Sequence, residues 1–370
     1  TAQKNLFLTG KVINGFTKEP VGFASIHWLI SKTGVIADSI GNFSISRSSF
    51  NNDTLILEYV GMEKMKYPLK DKMPTLYLIE NTSLSKEVVV KSKFSKGLRW
   101  WKAVVNKKKE NNPYNDPQFS CELYNKLELD LNNVNRNSFN NIKLLKPFGF
   151  ILDNIDSLSE DKPFLPILVS ETISDYYYNA NPLKTREVIK GSKVSGIKNE
   201  TILQILGGVN QKMNIYENYV KLFSKEFISP ISDVADKYYN FKGTDTQYIK
   251  GTKVYHLLFT PAREAVNLFS GDMWIDSETW AVHKIQMNIS KTSDINYINR
   301  LNITQEFTKQ GNNKMVFSKD KITVDMSPFS NDKITFIGRK TVSYKNISFE
   351  TPSINKALDQ NKKKTEIIIE

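Results

Sequence analysis

Asp38-Ser39-Ile40-Gly41-Asn42-Phe43-Ser44-Ile45 is the stretch whose reading decides the fold of the N-terminal part of this chain. Val35 and Ala37 before it, and Phe43 and Ile45 within it, bracket a tight turn at Asp38–Asn42. Upstream, Leu6-Phe7-Leu8 and Val12-Ile13 make a first strand, and Asn14-Gly15 and Glu19-Pro20 punctuate the turn that follows. Val21 to Ile30 alternates, with Phe23, Ser25, His27 and Leu29 on one face and Gly22, Ala24, Ile26 and Trp28 on the other, until Gly34 breaks it. Downstream, Leu55 to Val60 is a further strand stopped by Gly61, and Leu76 to Ile79 closes the set. Short strands at this spacing, with turn residues between them, predict a small antiparallel β-sandwich over 5–80.

A chain of 370 residues is long enough for two domains with separate cores. No apolar run approaches the roughly 20 residues that a membrane-spanning helix needs. The opening Thr1-Ala2-Gln3-Lys4 carries no signal-peptide pattern and reads as a mature or trimmed start. Cys121 is the only cysteine, so no intramolecular disulfide can form. The net charge of +12 is uneven: within 91–110, eight lysines and arginines face the single acid Glu110. Three readings of that cluster stand: a solvated linker and helix face, which is favoured; an anionic membrane surface or acidic polysaccharide; and nucleic acid, for which no recognisable fold surrounds it.

Residues 81–97 read as a polar linker with one edge strand at Val88-Val89-Val90. Leu98, Trp101, Val104 and Val105 then recur at helical spacing, which predicts a short amphipathic helix over 97–109, ended at Asn111-Asn112-Pro113. From about 115 a larger unit begins, with a strand at Cys121–Leu131, an irregular Asn-rich stretch over 132–165 and a strand at Ile167–Tyr178. The apolar spacing of 199–224 suggests helices interrupted at Gly207-Gly208. After Pro230 seven strands read as a meander: Tyr238–Phe241, Lys253–Thr260, Leu268–Asp276, Ala281–Ser290, Ile298–Thr308, Lys314–Asp325 and Thr335–Asn346. The domain division is therefore 1–82 for the sandwich, 83–114 for a basic linker and short helix, 115–355 for a β-rich domain, and 356–370 for a basic tail. The tail ends on Ile367-Ile368-Ile369-Glu370, which hints at a continuing polypeptide.

The chemistry available is sparse. None of His27, His256 and His283 begins a zinc-peptidase spacing, and His27 and His283 alternate with apolar neighbours as structural side chains would. No activated-thiol motif surrounds Cys121, and no GxSxG elbow is present. Gly191-Ser192-Lys193-Val194-Ser195-Gly196 starts like a phosphate loop, but Ile197 stands where the lysine is required. Acid pairs such as Asp272 with Asp276, or Glu122 with Glu128, lack a sugar-gripping aromatic pattern. The expectation is no catalytic site, no metal and no cofactor.

Two constellations could bind something. Trp100 and Trp101 beside Lys102, Lys107, Lys108 and Lys109 offer a membrane or partner contact in the manner of an interfacial helix. Trp101 shares a stripe with Val105, which favours packing on a domain instead. The second is the bent meander of 238–346 with the segment 199–224, able in principle to enclose an apolar cavity for an acyl chain. Its alternative is a dry core filled by Phe259, Trp274, Trp280 and Ile285.

Gly10-Lys11-Val12, Pro20-Val21-Gly22-Phe23-Ala24, Asp38–Phe43 and Tyr59-Val60-Gly61-Met62 resemble the carboxypeptidase-regulatory-like domain, a transthyretin-type sandwich of Bacteroidota envelope proteins that carries no peptidase site. Ser170-Glu171-Thr172, Tyr176-Tyr177-Tyr178, Asn214–Asn218, Ile228-Ser229-Pro230-Ile231 and Phe269–Asp276 resemble the uncharacterised outer-membrane family DUF5686, in which a C-terminal β-barrel usually follows. Phe269–Asp276 and the strands after it also look like the half-barrel of lipoprotein carriers, an analogy of fold alone.

The resemblance implies a mainly β protein with some α, in which a transthyretin-like sandwich precedes a curved antiparallel sheet with helices. It implies the non-enzymatic arm of a larger outer-membrane protein, acting as a protein-interaction module in envelope assembly or transport. Its partners would be other outer-membrane or periplasmic proteins, the outer-membrane surface and its own barrel, with no nucleic acid. The alternatives are a lipid or lipoprotein carrier and a glycan-binding module.

Overall fold

A computed structural model describes residues 7–22, 24–31, 33–38, 40–50, 52–59, 62–69, 75–79, 96–132, 164–196, 213–223, 225–249, 252–262, 267–289, 295, 297–311, 314–327, 335–359 and 365–367. The chain divides into two compact units, Thr1–Val89 with Tyr248–Thr252, and Val90–Gln247 with Lys253–Glu370.

The first unit holds β1 (Phe7–Asn14), β2 (Ser25–Trp28), β3 (Gly34–Ile36), β4 (Asn42–Ser46), β5 (Thr54–Glu58), β6 (Met65–Pro68) and β7 (Thr75–Leu78). They form two sheets, in orders β4-β1-β7 and β3-β2-β5-β6. Leu8, Val12, Phe43, Ile45, Leu76 and Leu78 from one sheet meet Ile26, Trp28, Leu55 and Leu57 from the other in a single core. That is the sandwich the alternation predicts, with Ala24, Ile26 and Trp28 inward and Leu29 outward. Pairing is antiparallel throughout except for β7, which runs parallel to β1. The stretch Val21 to Ile30 shortens to a strand over Ser25–Trp28, because Val21 N–H bonds to Val12 O and the N–H groups of Ile30 and Ser31 are both taken by the Asp53 carboxylate. The strand β6 is absent from the sequence reading, where its short, polar run carries no alternation. Tyr67 on β6 ties it to β7, its hydroxyl donating to Tyr77 O at 2.7 Å and accepting from Tyr77 N–H at 2.9 Å.

The quoted turn docks on β1. Asp38 Oδ1 accepts from the N–H of Ile40 and of Asn42, and Gly41 O accepts from Val12 N–H at 2.7 Å. Gly41 sits at φ +80°, and a Cβ there would come within 2.5 Å of Val12 O. Only glycine meets both requirements.

The second unit opens with α1 (Lys96–Asn111) and a 3₁₀ turn at Pro113–Asn115, where Asn112 Oδ1 caps Tyr114 N–H. Then come β8 (Gln118–Asn132), β9 (Phe164–Ala180), β10 (Leu183–Gly196), β11 (Tyr219–Leu222) and β12 (Lys225–Ile228). The meander follows as β13 (Tyr239–Ile249), β14 (Thr252–Pro261), β15 (Phe269–Asp276), β16 (Val282–Ile289), β17 (Ile298–Gln310), β18 (Lys314–Met326) and β19 (Thr335–Ser348), then α2 (Thr351–Asp359) and β20 (Thr365–Ile367). Eleven strands form one large curved sheet in the order β13-β14-β15-β16-β17-β18-β19-β8-β9-β10-β20. The seven-strand meander stands in sequence order, and the early strands β8 to β10 extend it beyond β19.

Three sequence readings change. Residues 191–196 are strand, paired with β9 residue by residue, so the loop-like glycines lie in β10. Residues 213–223 are turn and strand instead of helix: Asn214 Oδ1 accepts from Tyr216 N–H, and β11 pairs with β12. The basic tail is ordered at 356–359 within α2 and at 365–367, where β20 pairs parallel to β10. The expected edge strand at Val88–Val90, most of the irregular stretch 132–165, and the helical spacing of 199–212 lie outside the described residues.

The helix α1 belongs to the core of the second unit and is not a bare linker. Trp100, Trp101 and Val104 are buried in that core, with Trp100 stacked on Tyr255 at 4.5 Å and Trp101 on Phe241 at 5.1 Å. Gly97 permits the approach, since a Cβ there would stand 2.5 Å from Phe241 O.

Candidate functional site

Of the residues expected to fill the second unit's core, Phe259 and Ile285 are buried in it and Trp280 packs half-buried against it, whereas Trp274 is buried on the opposite face of the sheet, stacked on His256 at 4.9 Å with its Nε1 donating to Gln247 Oε1. The second unit also holds a cavity of about 190 Å³. Alternation along the strands builds it. Lys340, Val342 and Tyr344 are successive same-face residues of β19, and Leu123 and Asn125 of β8 stand opposite Tyr344 and Val342. Asp320 and Ile322 of β18 lie across from Val342 and Lys340. Tyr176 on β9 faces Glu187 on β10. Tyr114, on the 3₁₀ turn after α1, and Met213 complete the lining.

The wall is aromatic. Tyr114 lies 4.8 Å from Phe317, Phe317 stacks on Tyr344 at 5.1 Å, and Phe119 is 6.1 Å from Tyr176. Against this wall sits the carboxyl of Asp320. Asp320 Oδ2 accepts from Tyr344 OH at 2.7 Å and Oδ1 from Gln305 Nε2 at 3.0 Å. Burial pushes its pKa up to about 6, against the opposing pull of Tyr344, Gln305 and Lys340. Asp320 lines the cavity. Burial also raises Tyr114 and Tyr344, and the Asp320 charge adds to both. Glu187 Oε1 accepts from Ser174 Oγ at 2.7 Å. The site can therefore hold a small molecule by shape and ring contact and read its polar end with a carboxyl, a second acid and an ammonium.

The side chains singled out around α1 lie elsewhere and divide by exposure. Trp100 and Trp101 are buried, so neither indole is available to a membrane or a partner. Lys108 is buried with its Nζ donating to Asn218 Oδ1 at 2.7 Å and paired with Asp233 at 2.8 Å, which holds that carboxyl below its ordinary range. Lys102, Lys107 and Lys109 are exposed, with Lys107 bonded to Glu110. Helical periodicity sorts apolar from polar positions, but the burial of Lys108 depends on a distant acid.

The candidate acids, His256 and His283 have structural partners. Asp272 bonds His256, Asp276 caps the turn at Glu278 and Thr279 and pairs with Lys309, Glu122 pairs with Lys190, and Glu128 with Lys126. Cys121 is buried. Among the described residues no group of three or more His, Cys, Asp or Glu side chains could hold a metal ion. No described helix is long and apolar enough to cross a membrane. The cavity acid Asp320 went unnoticed in sequence, since it lies between Lys319 and Lys321 within the strand read over Lys314–Asp325.

Residues 102–347, about two thirds of the chain, match the family of unknown function DUF5686. The chain belongs to DUF5686. Residues 8–90 match the CarboxypepD_reg-like domain, which agrees with the sandwich and with the order of the two units. No curated protein matches the chain in sequence. Among solved structures, a candidate outer membrane lipoprotein-sorting protein domain from Vibrio parahaemolyticus is 11% identical, covers 71% of this chain and 97% of its own, and superposes with a TM-score of 0.29. A LolA superfamily protein from Nitrosomonas europaea is 9% identical, with coverages of 67% and 92% and a TM-score of 0.26. The Mycobacterium tuberculosis lipoprotein LppX is 12% identical, with coverages of 66% and 93% and a TM-score of 0.20. At these TM-scores the likenesses carry no functional argument for this DUF5686 chain.

Proposed function

We propose that this DUF5686 chain is a non-enzymatic binding arm of a larger cell-envelope protein, and that its working part is the cavity of the second unit, which receives a small amphipathic molecule. The observation that carries this is the buried carboxyl of Asp320 set against an aromatic wall in a cavity of the second unit. The volume of about 190 Å³ exceeds the roughly 150 Å³ that accepts benzene in an engineered apolar cavity. It accommodates a short amphiphile or the end of a chain, and it is too small for a whole lipid, which moves the reading away from a carrier of complete acyl groups. Titration with butyl to hexyl alcohols, followed by the methyl resonance of Met213, tests this. Saturable shifts that vanish when Val342→Phe fills the cavity support it; shifts that rise linearly in both chains refute it.

A second observation favours a docking role beside ligand binding. The outward face of α1 carries Lys96, Arg99, Lys102, Lys107 and Lys109, all exposed, while its two indoles lock it to the core. A fixed basic face suits an anionic partner, either an acidic envelope protein or the outer-membrane surface. Each exposed lysine near an anionic surface contributes about 1 kcal/mol. Co-sedimentation with vesicles containing anionic lipid should weaken on Lys102→Glu with Lys109→Glu, and an unchanged bound fraction would count against this face.

A further inference from the structure

We infer that the cavity takes a small organic ammonium ion, a positively charged nitrogen carrying alkyl groups; this rests on the cavity reading above and assigns its ligand class. Five rings line the space: Tyr114, Phe119, Tyr176, Phe317 and Tyr344. Aromatic faces are negative, so such a wall favours a cation over an anion, and it favours an alkylated cation because its shell of bound water is weak. Among the described lining residues, two carboxylates face one ammonium. Asp320 and Glu187 stand against Lys340, and each carboxylate has lone pairs beyond those used by Tyr344, Gln305 and Ser174. Leu123, Met213, Ile322 and Val342 supply apolar contact for N-methyl or methylene groups. Two polar groups wait for a partner. The Tyr114 hydroxyl and the Asn125 side-chain amide line the cavity without a hydrogen bond to any described residue. A hydroxyl or ether oxygen on the ligand would satisfy them.

Binding of this kind is linked to pH through Asp320. The charged and titratable groups that face it are Lys340 and Tyr344 from β19, Glu306 from β17, Tyr114 from the 3₁₀ turn and Glu187 from across the cavity, with Lys319 and Lys321 flanking it on β18. A bound cation favours the ionised carboxyl, so affinity should fall as the solution is acidified below about 6.

The test is calorimetric titration of the full chain with three probes of similar size: choline, its neutral isostere 3,3-dimethylbutan-1-ol, and hexanoate. At pH 7.5 choline should bind about tenfold more tightly than the neutral isostere, a difference of about 1.4 kcal/mol, with hexanoate weaker than both. Choline affinity should drop at pH 5, and Asp320→Asn should remove both the preference and its pH dependence. Phe317→Leu, which keeps an apolar side chain and removes a ring, should weaken choline more than the alcohol. Equal affinity for choline and the alcohol, or a preference for hexanoate, overturns the ammonium assignment and leaves the cavity reading standing. Binding of none of the three overturns both.

Discussion

Trp101 Nε1 donates to the carbonyl oxygen of Pro230 at 2.9 Å, across 129 positions of sequence. The ring lies stacked on Phe241 with 3% of its surface exposed, so this indole anchors α1 to the sheet. Trp101→Ala should destabilise the second unit by about 3–5 kcal/mol, the usual cost of emptying a large aromatic site. Trp101→Phe keeps the stacking and loses the hydrogen bond, leaving Pro230 O unpaired, and should cost about 1–3 kcal/mol. Urea unfolding of the three chains checks the order. A Trp101→Ala chain as stable as the parent would return the indole to a surface role.

Gly41→Ala should unfold the sandwich selectively. The substitution meets Val12 O at 2.5 Å and requires φ +80° of an L-residue. The left-handed backbone alone costs about 1–2 kcal/mol, and the clash with a strand backbone adds to it. Hydrogen exchange should accelerate across β2 and β5 of the first unit, while exchange across β15 and β16 stays as in the parent.

The two buried histidines should titrate in opposite directions. His256 lies between Asp272, at 2.6 Å from Nε2, and Asp245, at 3.0 Å from Nδ1. Burial alone would lower its pKa, but the two carboxylates outweigh burial and raise it. Burial lowers His283 as well, and its one carboxylate, Asp276, is shared with Lys309, which leaves it lowered. A raised histidine contributes stability that is fully present below the ordinary value near 6.5 and is lost as pH rises through the folded value. A lowered one acts oppositely, since acidification must charge a buried neutral ring. Imidazole resonances followed from pH 5 to 9 should place His256 above and His283 below the ordinary value; the reverse order would mean that the Asp245 contact does not persist in solution.

The fold was legible in sequence where one physical signal dominated. Strands of the meander stand out as runs bounded by turn residues, as in Phe269–Asp276 and Ile298–Thr308, and their central residues, Gly271–Asp276 and Leu301–Gln305, are buried on both faces. The strand β10 escaped because Lys184, Arg186, Lys190 and Lys193 leave no apolar face, and its order comes from pairing with β9 and β20. The cavity was legible only as a class of object. Its chemical centre is invisible locally, since Asp320 sits between two lysines and is desolvated only when Tyr114, Tyr344 and Met213 arrive from other parts of the chain. The lysine cluster was legible as charge, but not as one buried pair, Lys108 with Asp233, beside a set of exposed cations.

Asp320 sets a pH dependence of stability opposite to that of an ordinary ion-paired acid. Its folded pKa of about 6 lies above the ordinary 3.8, so the folded state holds this proton more tightly than the unfolded chain. Stability of the second unit should therefore rise as pH falls from about 6 towards 4, and be unaffected by this group above about 7. The full interval corresponds to at most about 3 kcal/mol, reduced by whatever water enters the cavity. Asp320→Asn removes the titration. The amide still accepts from Tyr344 OH but turns its NH₂ towards Gln305, so its stability at pH 7.5 should stay within about 1 kcal/mol of the parent. Urea midpoints of both chains at pH 7.5, 6.0 and 4.5 isolate the contribution, because every other titrating group is common to the two and cancels in the difference. A difference that stays constant across the three pH values would show that the Asp320 carboxyl is hydrated in solution, and with it that the cavity stands open to water.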